Sequence, residues 1–173
     1  MTKPLRVFIS STSEDLKRYR AAAAEVVRDA GWIADVMDHF PADPDPIVVM
    51  CQRRMRECDL FLLLQAFRRG GVPGVAQGGD GETSYTAFEL RAADQISKPV
   101  LLFLADEDTW PGEFHEEESA ARAWVRDFRN KVNRSGRFFG PEEGDLSQFK
   151  VLIREAVTHH KARLLDGAPD VER

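Results

Sequence analysis

Cysteine is nearly missing from this chain: Cys51 and Cys58 are the only two in 173 residues. Two cysteines do not build a disulfide scaffold, and without a third and fourth ligand they do not make a zinc site. No stretch approaches the roughly 18 consecutive apolar residues of a membrane span. Positive charge is not in excess either. The 24 Lys and Arg residues face 29 Asp and Glu, a net charge of −5, and a dedicated nucleic-acid binder carries the opposite balance. Internal repeats and low-complexity segments are absent. Met1-Thr2-Lys3-Pro4 passes straight into an apolar segment, so no secretory leader is expected. The glycine-rich stretch lacks the Gly-Lys-Ser/Thr of a P-loop. These absences predict a cytoplasmic protein with no membrane contact, no nucleic-acid partner and no bound metal.

What remains is ordinary globular composition, 43% hydrophobic and 31% charged, in a length that suits one domain with its own core. Leu5–Ser10 reads as a strand. Ser11-Thr12-Ser13-Glu14 has the spacing of a capping box, and Leu16, Tyr19, Ala23, Val26, Val27 and Ala30 recur at helical intervals up to Gly31. Trp32–Met37 reads as a second strand. Asp45 and Pro46 read as N-cap and first residue of a helix that buries Ile47, Met50, Cys51, Met55 and Cys58. Leu60–Leu64 is continuously apolar, as suits a central parallel strand covered on both faces. A helix over 84–96, a strand over 99–104, a helix over 113–132 with Phe114 inside, a short edge strand at Arg137–Phe139 and a helix over 146–165 complete the pattern. The predicted domain spans 1–165, with a polar tail over 166–173.

Repeated β-α units predict a doubly wound parallel sheet with helices on both faces. Right-handed crossovers then gather the β-to-α loops along one edge, where ligands bind at the reversal of strand order. That edge receives Ser10, Ser11, Arg68, Arg69 and Glu89. The segment 65–83 carries Gly70, Gly71, Gly74, Gly78, Gly79 and Gly81. Such a loop is expected to be mobile and to close over a ligand.

Val7-Phe8-Ile9-Ser10-Ser11-Thr12-x-Glu14-Asp15-Leu16 resembles the first box of a TIR-like domain family of unknown function, found at the N-terminus of NACHT- and NB-ARC-type signalling ATPases. The likeness continues through Asp35-Val36-Met37-Asp38-x-Phe40, Cys58-Asp59-Leu60-Phe61, Arg69-Gly70, Ser84-x-x-x-x-Glu89-Leu90-x-x-Ala93 and Lys98-Pro99-Val100. More distantly the chain is similar to TIR domains and nucleoside deoxyribosyltransferases. The resemblance implies a flavodoxin-like sheet in the order 2-1-3-4-5. It also implies that Glu89 is the catalytic carboxylate for cleaving the nicotinamide–ribose bond of NAD, a substrate and not a resident cofactor. Ser10, Ser11, Arg68, Arg69 and Tyr85 would shape the site. Tyr85 and Thr86 stand where enzymatic TIR domains have Trp and Cys. Assembly into a homo-oligomer on activation, and an ATPase or sensor module following in a longer chain, are further implications.

Plainer readings stand beside these. Thr86-x-x-Glu89 is itself a capping-box pattern, Ser10 and Ser11 are possible caps, and the arginines form a possible solvated face. Cys51 and Cys58 read as core, and His159-His160 as solvated. At the level of function the alternatives are a non-catalytic adaptor and a deoxyribosyltransferase-like enzyme with Glu89 as nucleophile.

Overall fold

The structure, a computed structural model, describes residues 4–12, 14–37, 44–133 and 136–166. Five parallel strands form one sheet: β1 (Arg6–Ser11), β2 (Ile33–Val36), β3 (Leu60–Gln65), β4 (Val100–Ala105) and β5 (Arg137–Phe139). Their order is β2-β1-β3-β4-β5. The helices are α1 (Lys17–Asp29), α2 (Ile47–Glu57), α3 (Tyr85–Gln95), α4 (Ser119–Val132) and α5 (Ser147–Asp166).

β3 is buried at every position, because strands and helices enclose it on all sides. Its alternate side chains feed two separate cores. Leu60, Leu62 and Leu64 join Val7 and Ile9 of β1 beneath α1 and α5, where Val26, Val27, Phe149, Ile153 and Val157 pack. Phe61 and Leu63 join Phe8 of β1 beneath α2 and α3, with Met55, Cys51 and Ala93, and Val132 of α4. Ser10 follows the same alternation as Phe8 and therefore projects toward α2 and α3 at the carboxyl end of β1.

Several local expectations change. The Ser11–Glu14 pattern does not cap α1: Ser11 is the last residue of β1, and α1 begins at Lys17. The Thr12 hydroxyl instead donates to Asp15 across the turn, and Ser13 lies outside the described residues. Pro46, not Asp45, precedes the first residue of α2, while Asp45 accepts from Arg53 at 2.7 Å. The predicted helix over 113–132 starts only at Ser119. Gly112–Phe114 form a single 3-10 turn instead, and the neighbouring loop holds the residues after it out of the helix: Glu116 N donates to Phe67 O at 2.9 Å, and the Glu116 carboxylate accepts from Arg69 N at 2.9 Å. Phe114 is consequently exposed, and His160 is buried where solvation was expected. α5 extends through Asp166. The tail over 167–173 and the motif residues Asp38 and Phe40 lie outside the described residues.

Candidate functional site

α2 and α3 run side by side over β1 and β3, and each presents residues at i, i+3 and i+4 to the other. From α2 these are Val48, Cys51 and Gln52; from α3 they are Tyr85, Phe88 and Glu89. The six line one narrow cleft whose open volume is about 10 Å³, room for a single water. Ser10 closes it from below, its hydroxyl donating to the Glu89 carboxylate.

Glu89 does not cap its helix. The N-cap is Ser84, whose hydroxyl accepts from Ala87 N at 3.3 Å, so Glu89 sits in the second turn with its amide already inside the helical ladder. Its side chain is 6% exposed, and no cation pairs with it among the described residues. Burial raises its pKa from the ordinary carboxylate value to about 7, and the hydrogen bonds from Ser10 and Cys51 hold the rise back. A carboxylate whose only partners are a hydroxyl and a thiol is costly to ionise. Burial also raises the Cys51 thiol, with the Glu89 charge adding to the effect. Cys51 is therefore a neutral donor here and not a nucleophile.

Of the expected site residues, Ser10, Tyr85 and Glu89 come together in this cleft. Ser11, Arg68 and Arg69 do not line it. The Ser11 hydroxyl donates to Thr12 O and accepts from the buried Arg20 at 2.8 Å. Arg68 reaches Glu113 O at 3.4 Å. Arg69 donates to Glu82 O and lies over the Trp124 ring at 5.4 Å. The contributions of Val48, Cys51, Gln52 and Phe88 went unnoticed in the sequence. The matching i, i+3, i+4 spacing on two helices is the signal that could have marked them. Among the described residues no group of three or more His, Cys, Asp and Glu side chains is placed to hold a metal ion, and no helix is long and apolar enough to cross a membrane.

The glycine-rich loop carries hydrogen bonds of its own. Gln77 N and Gly79 N donate to Gly74 O, and Gly81 N donates to Pro73 O, each at 3.0 Å. Asp80 accepts from Glu82 N, Thr83 N and the Thr83 hydroxyl, which lowers its pKa to about 2. Three of its glycines, Gly71, Gly78 and Gly79, stand where another residue's atoms come close. A Cβ on Gly71 would lie 3.2 Å from the Tyr85 ring, and one on Gly78 would lie 3.4 Å from Pro46 and Val48. The loop thus braces both walls of the cleft. A Cβ on Gly79 would fall 2.1 Å from Pro73 O, a backbone overlap that no rotamer relieves. Gly79→Ala should therefore open the loop and speed amide exchange at Gly79 and Gly81 at least tenfold. Global stability should fall by no more than about 1 kcal/mol, since the segment is largely exposed. Unchanged exchange would mean the loop tolerates the displacement.

A parallel sheet in this order, covered by helices on both faces, with a buried carboxylate at the carboxyl end of β1, defines a flavodoxin-like domain of TIR-like form. Residues 6–152 match the family model described as Domain of unknown function (DUF4062), and the chain belongs to that family. No curated protein matches it. Among solved structures it is similar to the TIR domains of the activated Roq1 resistosome directly recognising the pathogen effector XopQ. The TM-score there is 0.56, with 17% identity over 88% of this chain and 99% of that one. It is also similar to the RPS4 and RRS1 TIR domain heterodimer, with a TM-score of 0.51 and 10% identity over 91% of this chain and 99% of that one.

Proposed function

We propose that this domain is a TIR-like signalling or defence effector that hydrolyses NAD at the nicotinamide–ribose bond, with Glu89 as the catalytic carboxylate. The observation that carries the reading is the buried, cation-free Glu89 held by Ser10 in a cleft at the sheet's carboxyl edge. Nicotinamide in NAD is already a cationic leaving group, so its departure needs no general acid. As the C1′–N1 bond breaks, the electron pair leaves with nicotinamide and positive charge develops on the ribose. A fixed carboxylate stabilises that charge more strongly in a low-dielectric cleft than in water. Water then adds to C1′ and releases a proton, giving ADP-ribose.

The cleft is smaller than the roughly 300–1,000 Å³ of a pocket that swallows a drug-sized ligand. At about 10 Å³ it holds a single water, so Tyr85 and Phe88 would have to part from Val48 to bring a ribose to Glu89, with the diphosphate outside, along the edge that carries Arg68 and Arg69. Those arginines would exchange their present carbonyl contacts for phosphate oxygens.

Incubating the domain with NAD and measuring free nicotinamide tests this reading. Turnover should rise with pH through about 7, as the carboxylate form accumulates, and level off above. Glu89→Gln should lower kcat by at least about 10³-fold with the fold intact, as expected for loss of a charge that acts in the transition state. Retained turnover would remove Glu89 from the mechanism. A second reading, a non-catalytic interaction module, is favoured by the setting of the two TIR structures, one a heterodimer and one a resistosome. If assembly gates the enzyme, specific activity should rise with protein concentration. Assembly without nicotinamide release at any concentration would favour the adaptor.

A further inference from the structure

Glu89 is 6% exposed, and the cleft beside it has room for no more than a water, so nothing larger meets the carboxylate until the walls separate. One segment touches both walls. On the α3 side, Gly71 O accepts from Tyr85 N at 3.0 Å, and a Cβ on Gly71 would meet the Tyr85 ring at 3.2 Å. On the α2 side, a Cβ on Gly78 would meet Pro46 and Val48 at 3.4 Å. Tyr85 and Val48 cannot draw apart while both contacts last. Arg69 pins the ends of this segment together. Its guanidinium donates to Glu82 O and lies over the Trp124 ring at 5.4 Å. Both partners are uncharged, and the Arg69 Nε is buried with no hydrogen-bond partner among the described residues. The Nε of Arg68, the next residue, is in the same state. Two adjacent guanidinium groups with buried, unused donors are poised for a better acceptor.

We infer that residues 69–82 form a strap that holds the cleft shut over Glu89, and that it lets go when a diphosphate takes Arg69 from Glu82 O and the Trp124 ring. The inference rests on the cleavage reading for what is uncovered, but concerns opening and not bond breaking. Hydrogen bonds from a guanidinium to an anionic oxygen are about twice as strong as those between neutral groups. A diphosphate therefore outbids a single carbonyl, and it offers the fork two oxygens at once. It binds the open form better because only there is the Arg69 guanidinium free. That difference in affinity is what shifts the balance between the two forms. With residue 82 released from residue 69, the strap is left with neutral contacts to Tyr85, Pro46 and Val48, and the two helices can part.

Cys51 reports the opening, because it lines the cleft and is 4% exposed. Cys58, 2% exposed and 3.6 Å from the Asp35 carboxylate, is the reference for unfolding of the whole domain. Trypsin cuts at Arg53, Arg54 and Arg56 place the two thiols on separate peptides. N-ethylmaleimide labelling at pH 8, read by peptide mass spectrometry, is the measurement. Pyrophosphate, at ionic strength matched with sodium chloride, should speed Cys51 labelling in the native domain about tenfold and leave Cys58 unchanged. Arg69→Met should speed Cys51 labelling at least about tenfold without any anion, and pyrophosphate should then add nothing. Trp124→Leu, which keeps Arg69, should speed it about two- to fivefold, the worth of an exposed cation–π contact. A variant in which both cysteines quicken together has unfolded, and the native response to pyrophosphate then decides. Cys51 labelling that pyrophosphate does not change in the native domain would overturn the inference. So would a folded Arg69→Met domain with Cys51 as protected as in the native chain. Nicotinamide release from NAD is measured alongside. Pyrophosphate-dependent exposure of Cys51 without any release would leave the strap standing and remove the hydrolase reading. Glu89-dependent release with Cys51 labelling indifferent to pyrophosphate would do the reverse.

Discussion

At pH 8, Glu89→Gln should unfold at a higher temperature than the native chain, and at pH 5 the difference should nearly vanish. The carboxyl is buried, bonded only to neutral donors, and its pKa in the folded domain is about 7, above the ordinary 4.5. Below about pH 4.5 the group is protonated whether the chain is folded or not, and its ionisation costs nothing. Between 4.5 and 7 the folded domain keeps a proton that the unfolded chain has released, so stability falls as pH rises. Above about 7 the folded domain holds a buried carboxylate and bears the full cost, on the order of 3 kcal/mol for a rise of this size. Glutamine has no charge at any pH, and its carbonyl still accepts from Ser10. In a domain of this length the gain at pH 8 corresponds to about 5–10 °C in Tm, shrinking to under about 1 kcal/mol at pH 5. Thermal unfolding followed by circular dichroism across that range is the measurement. A Tm difference independent of pH, or a loss of stability at pH 8, would show that Glu89 is not an uncompensated buried charge. Paired with the expected collapse of turnover, a stabilising substitution separates a functional residue from a structural one, because structural groups seldom improve the fold when altered.

The sheet was legible because its signal is local. The continuous apolar run at Leu60–Leu64 can only be satisfied by cover on both faces, and the helices between strands repeat at intervals that require parallel pairing. Tertiary contacts decided what was misread. His115–Glu118 has the acidic composition of a helix start, yet Glu116 is claimed by Phe67 and Arg69 on the next loop. Glycine permits both freedom and close approach, and the close approaches within 65–83, at Gly71, Gly78 and Gly79, depend on the positions of Tyr85, Val48 and Pro73, which the sequence does not give. At the candidate site, Glu89 and Ser10 could be placed on one edge by topology, and Tyr85 through the resemblance. Gln52 and Cys51 could not, because the angle at which α2 meets α3 is set by packing beneath them.

Arg129 was equally invisible, since α4 also carries Arg122 and Arg126 and nothing in the spacing tells the three apart. Its replacement should have the largest structural effect of any single charged residue discussed here. Arg129 is 8% exposed. One guanidinium nitrogen donates to Gln65 O and Ala66 O at 3.2 Å, and the other to Ala105 O at 2.6 Å. The group lies 4.0 Å from the centre of the Phe67 ring, which is itself stacked on His115 at 4.2 Å. Burial lowers its pKa, with Asp106 and Glu107 acting against the fall. It thus ties the carboxyl ends of β3 and β4 together at the edge where the site lies. Arg129→Met keeps the apolar stem and removes every donor. Three carbonyls lose a charged partner, and at about 1–3 kcal/mol for each buried group left unpaired the loss should total at least about 3–5 kcal/mol. Arg129→Lys retains the charge but not the planar fork that reaches both strands while stacking on Phe67, so it should recover no more than about half. Arg126, paired with Asp127 where both side chains are about 70% exposed, is the control: Arg126→Met should stay within about 0.5 kcal/mol of the native domain. Urea midpoints at constant m-value measure all three. If Arg129→Met falls within about 1 kcal/mol of the native chain, the carbonyls find other partners, and the edge of the sheet does not depend on this residue.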